Sequence, residues 1–212
     1  MKFTIWDFFA PFYELAMKSQ KNQYNFLYDK ISTLVKGKTV LELATGPGMI
    51  AKHISSSARK IIATDFSQSM IDTAEKKKSP ENLTFEVADA TNLRFVDNSF
   101  EVVIIANALH IMPQPEKALS QIKRVLKDDG ILIAPNFIDH DGQEKQNLWA
   151  RFLEFIGVKF EHKWNADEYK AFLRHNGFII QESAILKGRI NMFYAVCKID
   201  QAQSQAPLAL SI

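Results

Sequence analysis

Cysteine occurs once in the 212 residues, at Cys197, which excludes a disulfide framework and suits a reducing, cytoplasmic setting. No run of about 18 apolar residues is present, and Asp7 and Glu14 interrupt the aromatic amino-terminal stretch. Neither a spanning helix nor a secretory leader is therefore expected. Charge of one sign is also missing: 26 Lys and Arg against 24 Asp and Glu leave a net +2, too little to argue for a nucleic-acid partner. Internal repeats are absent. What is present is 47% hydrophobic content, enough to fill the core of one enzyme-sized domain.

The most informative stretch is Thr39-Val40-Leu41-Glu42-Leu43-Ala44-Thr45-Gly46-Pro47-Gly48. It is an apolar strand carrying one carboxylate and running into a glycine-containing turn, with the helical pattern Met49 to Ile54 behind it. Gly46 and Gly48 free the backbone to turn tightly and approach a ligand, and the helix start offers N–H groups to polar ligand atoms. A second strand, Lys60 to Thr64, ends at Asp65, about 20 residues beyond the loop, where an acidic side chain can hold ribose hydroxyls. The pattern departs from a dinucleotide loop: Glu42 is charged, Ala44 stands at the first glycine, and position 51 is alanine. A buried carboxylate costs several kcal/mol without a cationic or hydrogen-bonding partner.

On these residues the chain resembles the class I S-adenosylmethionine-dependent methyltransferases, whose first motif, [D/E]-x-G-x-G-x-G, is met by Glu42, Gly46 and Gly48, with Ala44 as the departure and Thr45 inside the loop. The resemblance extends over about residues 36 to 136. Asp65-Phe66-Ser67-Gln68-Ser69-Met70 looks like the second motif, which implies that Asp65 binds the ribose diol and that Met70 packs near adenine, with Phe66 and Ser67 beside them. Phe85 to Ala90 is similar to the third motif. There the resemblance implies that Asp89 reads the adenine amino group and the Ala90 N–H a ring nitrogen. Phe100 to His110 resembles the fourth strand and its ligand-facing end, which puts Asn107 and Ala108 at the pocket. Lys123 to Ile133 is similar to the R-V-L-K-P-G-G-x-L turn, with Asp128-Asp129-Gly130 in place of Pro-Gly-Gly. The cofactor implied is S-adenosylmethionine and its product S-adenosylhomocysteine, and no metal is implied.

Alternating strand and helix signals predict an α/β fold, a mostly parallel sheet with helices on both faces, closed by an antiparallel pair at about 177–180 and 190–197. The resemblance implies seven strands in the Rossmann-like order 3-2-1-4-5-7-6. The expected layout is an amino-terminal helical cap over residues 1–36, the methyltransferase domain over 37–199 with a substrate-side insertion at 139–176, and a loosely held tail over 200–212. Part of the cap, with Tyr13 singled out by the resemblance, is a candidate lid over the cofactor, and the polar stretch 18–23 reads as its hinge. The Asp139-His140-Asp141 stretch reads as a solvated loop rather than a metal site.

Methyl transfer from a sulfonium is an in-line displacement that needs alignment, dryness and, for some acceptors, removal of a proton. His110, just past strand four, is the candidate general base, against the alternative of a histidine that caps the strand end. Asn107 does not continue as Asn-Pro-Pro-Tyr, so the motif that holds a flat amino group is missing. The function expected is methyl transfer to a small apolar or amphipathic acceptor, with lipid-like and quinone-like molecules both open. The protein is expected as a monomer or homodimer without stable membrane insertion. A non-catalytic cofactor-binding protein and a nicotinamide-dependent oxidoreductase are the rival readings.

Overall fold

The computed structural model describes residues 20–76, 78–139 and 161–204. Helix α1 (Lys21–Leu34) buries Gln23, Tyr24, Leu27 and Ile31, a spacing that keeps one stripe of the helix on the sheet. Strand β1 (Thr39–Leu43) leads to the short helix α2 (Met49–Ile54), and β2 (Lys60–Asp65) to α3 (Gln68–Glu75). Strands β3 (Leu83–Val87) and β4 (Phe100–Ile105) precede α4 (Pro115–Val125), β5 (Leu126–Ile133) and β6 (Asn136–Ile138). Helix α5 (Ala166–His175) and the hairpin β7 (Phe178–Leu186) and β8 (Asn191–Ile199) complete the fold.

Strands β3, β2, β1, β4 and β5 are parallel neighbours in that order, and β8 closes the sheet antiparallel to β5, β6 and β7. Among the described residues eight strands stand where seven were expected, because strand five is broken in two. Ile133 lies opposite Val196 and Asn136 opposite Phe193, one continuous register, so β6 prolongs β5 along the same edge of β8. The break is at Pro135, which has no N–H to give to the ladder, while Ala134 N still donates to Ala195 O. With β5 and β6 counted as one strand, the order is the expected 3-2-1-4-5-7-6. The turn expected at Asp128-Asp129-Gly130 is instead a bulge inside β5: Phe100 pairs with Leu126 but Val102 with Ile131.

Period-two alternation distributes the strands' side chains between two cores. Leu41, Leu43, Val103 and Ile105 face α4 and α5, where Leu119, Ile122, Tyr169 and Leu173 are buried. Val40, Ile61, Val102 and Ile104 face α1 and α2, with Leu27, Ile31, Ile50 and Ile54. Glu42 follows Val40 by two residues, so its carboxyl points into the second layer, toward α2. Helix α5 starts with a capping box made by Asn165 and Glu168, and α4 starts with Pro115 and Glu116, which orients both helices against the sheet.

Residues 20–35 of the expected cap are docked on the sheet, and Tyr13 lies outside the described residues. Within the expected hinge, Gln20 and Gln23 are buried rather than solvated. Gln23 Nε2 donates to Leu186 O at 2.7 Å and Ile190 O at 2.9 Å, clasping the β7–β8 turn, and a Cβ at Gly188 would stand 2.7 Å from both glutamine side chains. Such a clasp fixes the start of α1 where a hinge would free it. The substitution Gln23→Ala strips the half-buried Leu186 O of its donor and leaves Ile190 O only the longer bond from Gln20, and is expected to lower stability by about 1–3 kcal/mol in urea denaturation, with the secondary structure retained.

Candidate functional site

The turn after β1 uses three left-handed residues, Ala44 at φ 52°, Gly46 at 55° and Gly48 at 78°. Glycine adopts this conformation freely, whereas an alanine there costs about 1–2 kcal/mol. Ala44 therefore keeps the backbone path that a glycine would take, at the cost of local strain. The loop is tied to the second strand: Thr45 N donates to Thr64 O at 2.9 Å, and Gly46 N donates to Asp65 Oδ2 at 2.8 Å. Gly48 is required by packing as well as by its φ, since a Cβ there would meet the Phe85 ring at 2.6 Å.

Glu42 is 2% exposed, and its Oε2 makes no hydrogen bond. Burial pushes its pKa up to about 8. The Thr45 side chain and the Ala51 N–H draw it down in part, and the Asp65 charge raises it. The Thr45 hydroxyl is near enough to favour the charged form but closes no bond of good geometry, and its Oγ1 is also left without a partner. A carboxyl and a hydroxyl thus sit unsatisfied at the end of β1.

Ala44, Gly46, Asp65, Phe66, Met70, Asp89, Ala90, Asn107 and Ala108 share the wall of one cavity of about 430 Å³, at the carboxyl ends of β1, β2, β3 and β4. That is where an open parallel sheet takes its ligand. Asp65 Oδ1 also accepts from Ser67 N at 2.9 Å, and Ser67 Oγ caps α3 by accepting from Met70 N, so Ser67 positions Met70 without lining the cavity itself. Phe66 is 62% exposed at the rim, an apolar ring for a flat ligand to cover. Asp89 Oδ1 accepts from the Thr91 N–H and hydroxyl. Asn107, at φ 51°, has its N–H bound to Pro135 O, while its Nδ2 donates to the Tyr24 hydroxyl at 3.4 Å. Its Oδ1 is buried without a hydrogen bond.

Glu42, Thr45, Gly48 and His110 are not on the cavity wall. His110 stands in the single 3-10 turn Leu109–Ile111, and its Nδ1 is 2.9 Å from Asn136 Oδ1. Asn136 Nδ2 donates to Phe137 O, which leaves Oδ1 as the acceptor and puts the ring hydrogen on Nδ1. Burial pushes the His110 pKa down to about 4 against the raising effect of Asn136, with His162 lowering it further. The imidazole is neutral at pH 7 and held behind the wall that Ile111 and Met112 present to the cavity. No metal-ligating cluster exists among the described residues, and no described helix is long and apolar enough to cross a membrane.

Sequence reasoning missed Ile111, Met112, Pro113 and Gln114, which form the cavity wall beyond Ala108, and Tyr24, which reaches Asn107 from α1. The first four carry no motif. A buried tyrosine at a helical core position gives no sign that its hydroxyl meets a loop 83 residues away.

Residues 41–134 match the family described as "Methyltransferase domain". A demethylmenaquinone methyltransferase of Lactobacillus johnsonii is 33% identical over 185 residues, covering 78% of this chain and 72% of that protein. One from Paenarthrobacter aurescens is 30% identical, covering 71% of this chain and 60% of that protein. The chain thus spans less than two thirds of some curated relatives. A solved Thermotoga maritima protein, described as a SAM-dependent methyltransferase and possible histamine N-methyltransferase, superposes with a TM-score of 0.70 at 19% identity, over 92% of this chain and 99% of the other. A Rossmann-like sheet with this loop and this cavity defines the class I S-adenosylmethionine-dependent methyltransferases. Within that class, the chain belongs to the family that includes the demethylmenaquinone methyltransferases.

The two shifted groups limit stability on opposite sides of neutrality. The Glu42 pKa is raised on folding, so its contribution is full below about 4.5 and is lost as pH rises through about 8. The His110 pKa is depressed, so its contribution is full above about 6.5 and is lost as pH falls through about 4. The ligand-free protein is expected to lose about 2 kcal/mol between pH 6.5 and 8 from Glu42 alone. Urea midpoints of Glu42→Gln should lack that alkaline decline, while the acid decline remains.

Proposed function

We propose that this chain transfers the methyl group of S-adenosylmethionine to a small, flat, largely apolar acceptor with a quinone-like ring. The observation that carries the reading is Glu42: a buried carboxyl with an unpartnered oxygen at the loop end needs a cation, and an amino-acid cofactor bearing an ammonium provides one. The names of the relatives, which specify demethylmenaquinone, and the apolar wall of Ile111, Met112 and Pro113 support the acceptor class. The single thiol, Cys197, buried in β8, supports a cytoplasmic location.

The bound cofactor supplies an electrophilic methyl on a positively charged sulfur that leaves as a neutral thioether. Everything else falls to the chain's own residues. Asp65 accepts the ribose hydroxyls while holding Gly46 and Ser67, and Phe66 and Met70 give the base an apolar seat, with Asp89 and the Ala90 N–H at its edge. Asn107 Oδ1 and Glu42 hold the ammonium end, which leaves Ile111 to Gln114 to align the acceptor and exclude water. His110 acts by position: its bond to Asn136 anchors the 3-10 turn that carries Ile111.

Calorimetry with S-adenosylhomocysteine and with NAD tests the reading. Saturable binding of the first and none of the second is expected, and binding of NAD alone would overturn it. The variant Asp65→Ala is expected to weaken S-adenosylhomocysteine by about 1–3 kcal/mol. Because the same oxygens hold two backbone N–H groups, it also loses about 1–2 kcal/mol of stability, so binding is compared at a temperature where both proteins are folded. Unchanged affinity would remove Asp65 from the site.

A further inference from the structure

Among the described residues, none sets a cation on Glu42. From its own loop comes the Thr45 hydroxyl, and from β2 comes Asp65, whose charge opposes ionisation. Helix α2 carries Lys52 and His53, and both are engaged elsewhere. Lys52 Nζ donates to Pro47 O at 2.9 Å and stands 5.7 Å from the Phe85 ring, and His53 stacks on Tyr28 at 4.1 Å. Helix α1 and strand β4 bring apolar side chains to the same layer, among them Leu27 and Ile104. An ionised carboxylate at 2% exposure, with one oxygen unpaired and the Asp65 charge opposing its ionisation, is the unfavourable form of this site.

We propose that Glu42 is a neutral carboxylic acid in the ligand-free protein and exchanges its proton for the α-ammonium of the cofactor, so that Glu42 selects ligands carrying that cation and binding expels a proton. This rests on the cofactor reading above and adds to it a charge-based selection. Before binding, the neutral acid spares the cavity a buried charge. On binding, the Glu42 O–H bond breaks, its proton goes to buffer, and the carboxylate left behind pairs with the incoming ammonium. At the Glu42 end the ammonium's charge takes the place of the expelled proton's, so the carboxylate formed there is not left uncompensated. A ligand without the ammonium has no such exchange available. Asp65, half-exposed and bonded to two backbone N–H groups, keeps the ribose end polar without taking part.

Titration calorimetry of the full chain with S-adenosylhomocysteine, repeated at pH 7 in buffers of differing ionisation enthalpy, reads the proton count from the slope of apparent enthalpy against that quantity. Release of about 0.5–1 proton per site is expected at this pH. An amine taking up a proton on binding would give the opposite sign. The probe 5′-methylthioadenosine, which keeps the nucleoside and lacks the ammonium, should bind with no proton released. Glu42→Gln should still bind S-adenosylhomocysteine, about tenfold or more weakly, with the release abolished, and Glu42→Asp should retain part of it. Binding by the parent with a flat slope overturns the exchange while leaving the cofactor reading intact, as does a slope that persists in Glu42→Gln. No binding of S-adenosylhomocysteine in any buffer overturns both.

Discussion

The constraint on which the site depends is the burial of one carboxyl at the end of a central strand. A strand that pairs on both edges and is covered on both faces has no water to offer a charged side chain. Glu42 occupies such a position on β1, between β2 and β4, facing the layer of α1 and α2. The main-chain turn that follows carries Ala44 and Gly46 onto the wall of a cavity, with the carboxyl buried behind it. Ligand and carboxyl then answer the same need, because the cation that this position lacks is one the cofactor carries.

The surrounding architecture keeps the loop in that geometry. Asp65 draws Gly46 toward β2 while also fixing Ser67 at the start of α3, so a single side chain sets two of the cavity's walls. The break in strand five contributes from the other side. Pro135 turns its carbonyl to the Asn107 N–H and so stabilises the left-handed residue at the end of β4, which lines the cavity. The sheet is irregular at these points for a reason: regular pairing would have used the groups that the site employs.

Much of this was legible in the sequence because the cofactor side is built from short, contiguous strand-to-loop segments. Glu42, Gly46 and Asp65 follow from spacing and residue type and Met70 from the resemblance, and of these Gly46, Asp65 and Met70 line the cavity. The order of the sheet was legible only through resemblance, since periodicity does not tell which strand neighbours which. The division of strand five was missed although Pro135 is in plain view, because a proline marks a lost hydrogen bond without saying whether the pairing resumes beyond it. The polar run at 18–23 shows the opposite limit: it reads as a stretch able to hinge, and nothing in it tells that Gln20 and Gln23 find their partners in the β7–β8 turn, more than 160 residues away. His110 has the right residue type and strand-end position for a base. Its partner Asn136 and the burial that neutralises it are matters of tertiary packing.

The most direct test of the account is a crystal structure of the chain with S-adenosylhomocysteine. The account predicts ligand density in the cavity between the ends of β1 and β4, with the α-ammonium within hydrogen-bond distance of Glu42 and Asn107 Oδ1 and the ribose on Asp65. Density placed elsewhere, or a bound ligand whose ammonium turns to solvent and leaves Glu42 Oε2 without a partner, would contradict it.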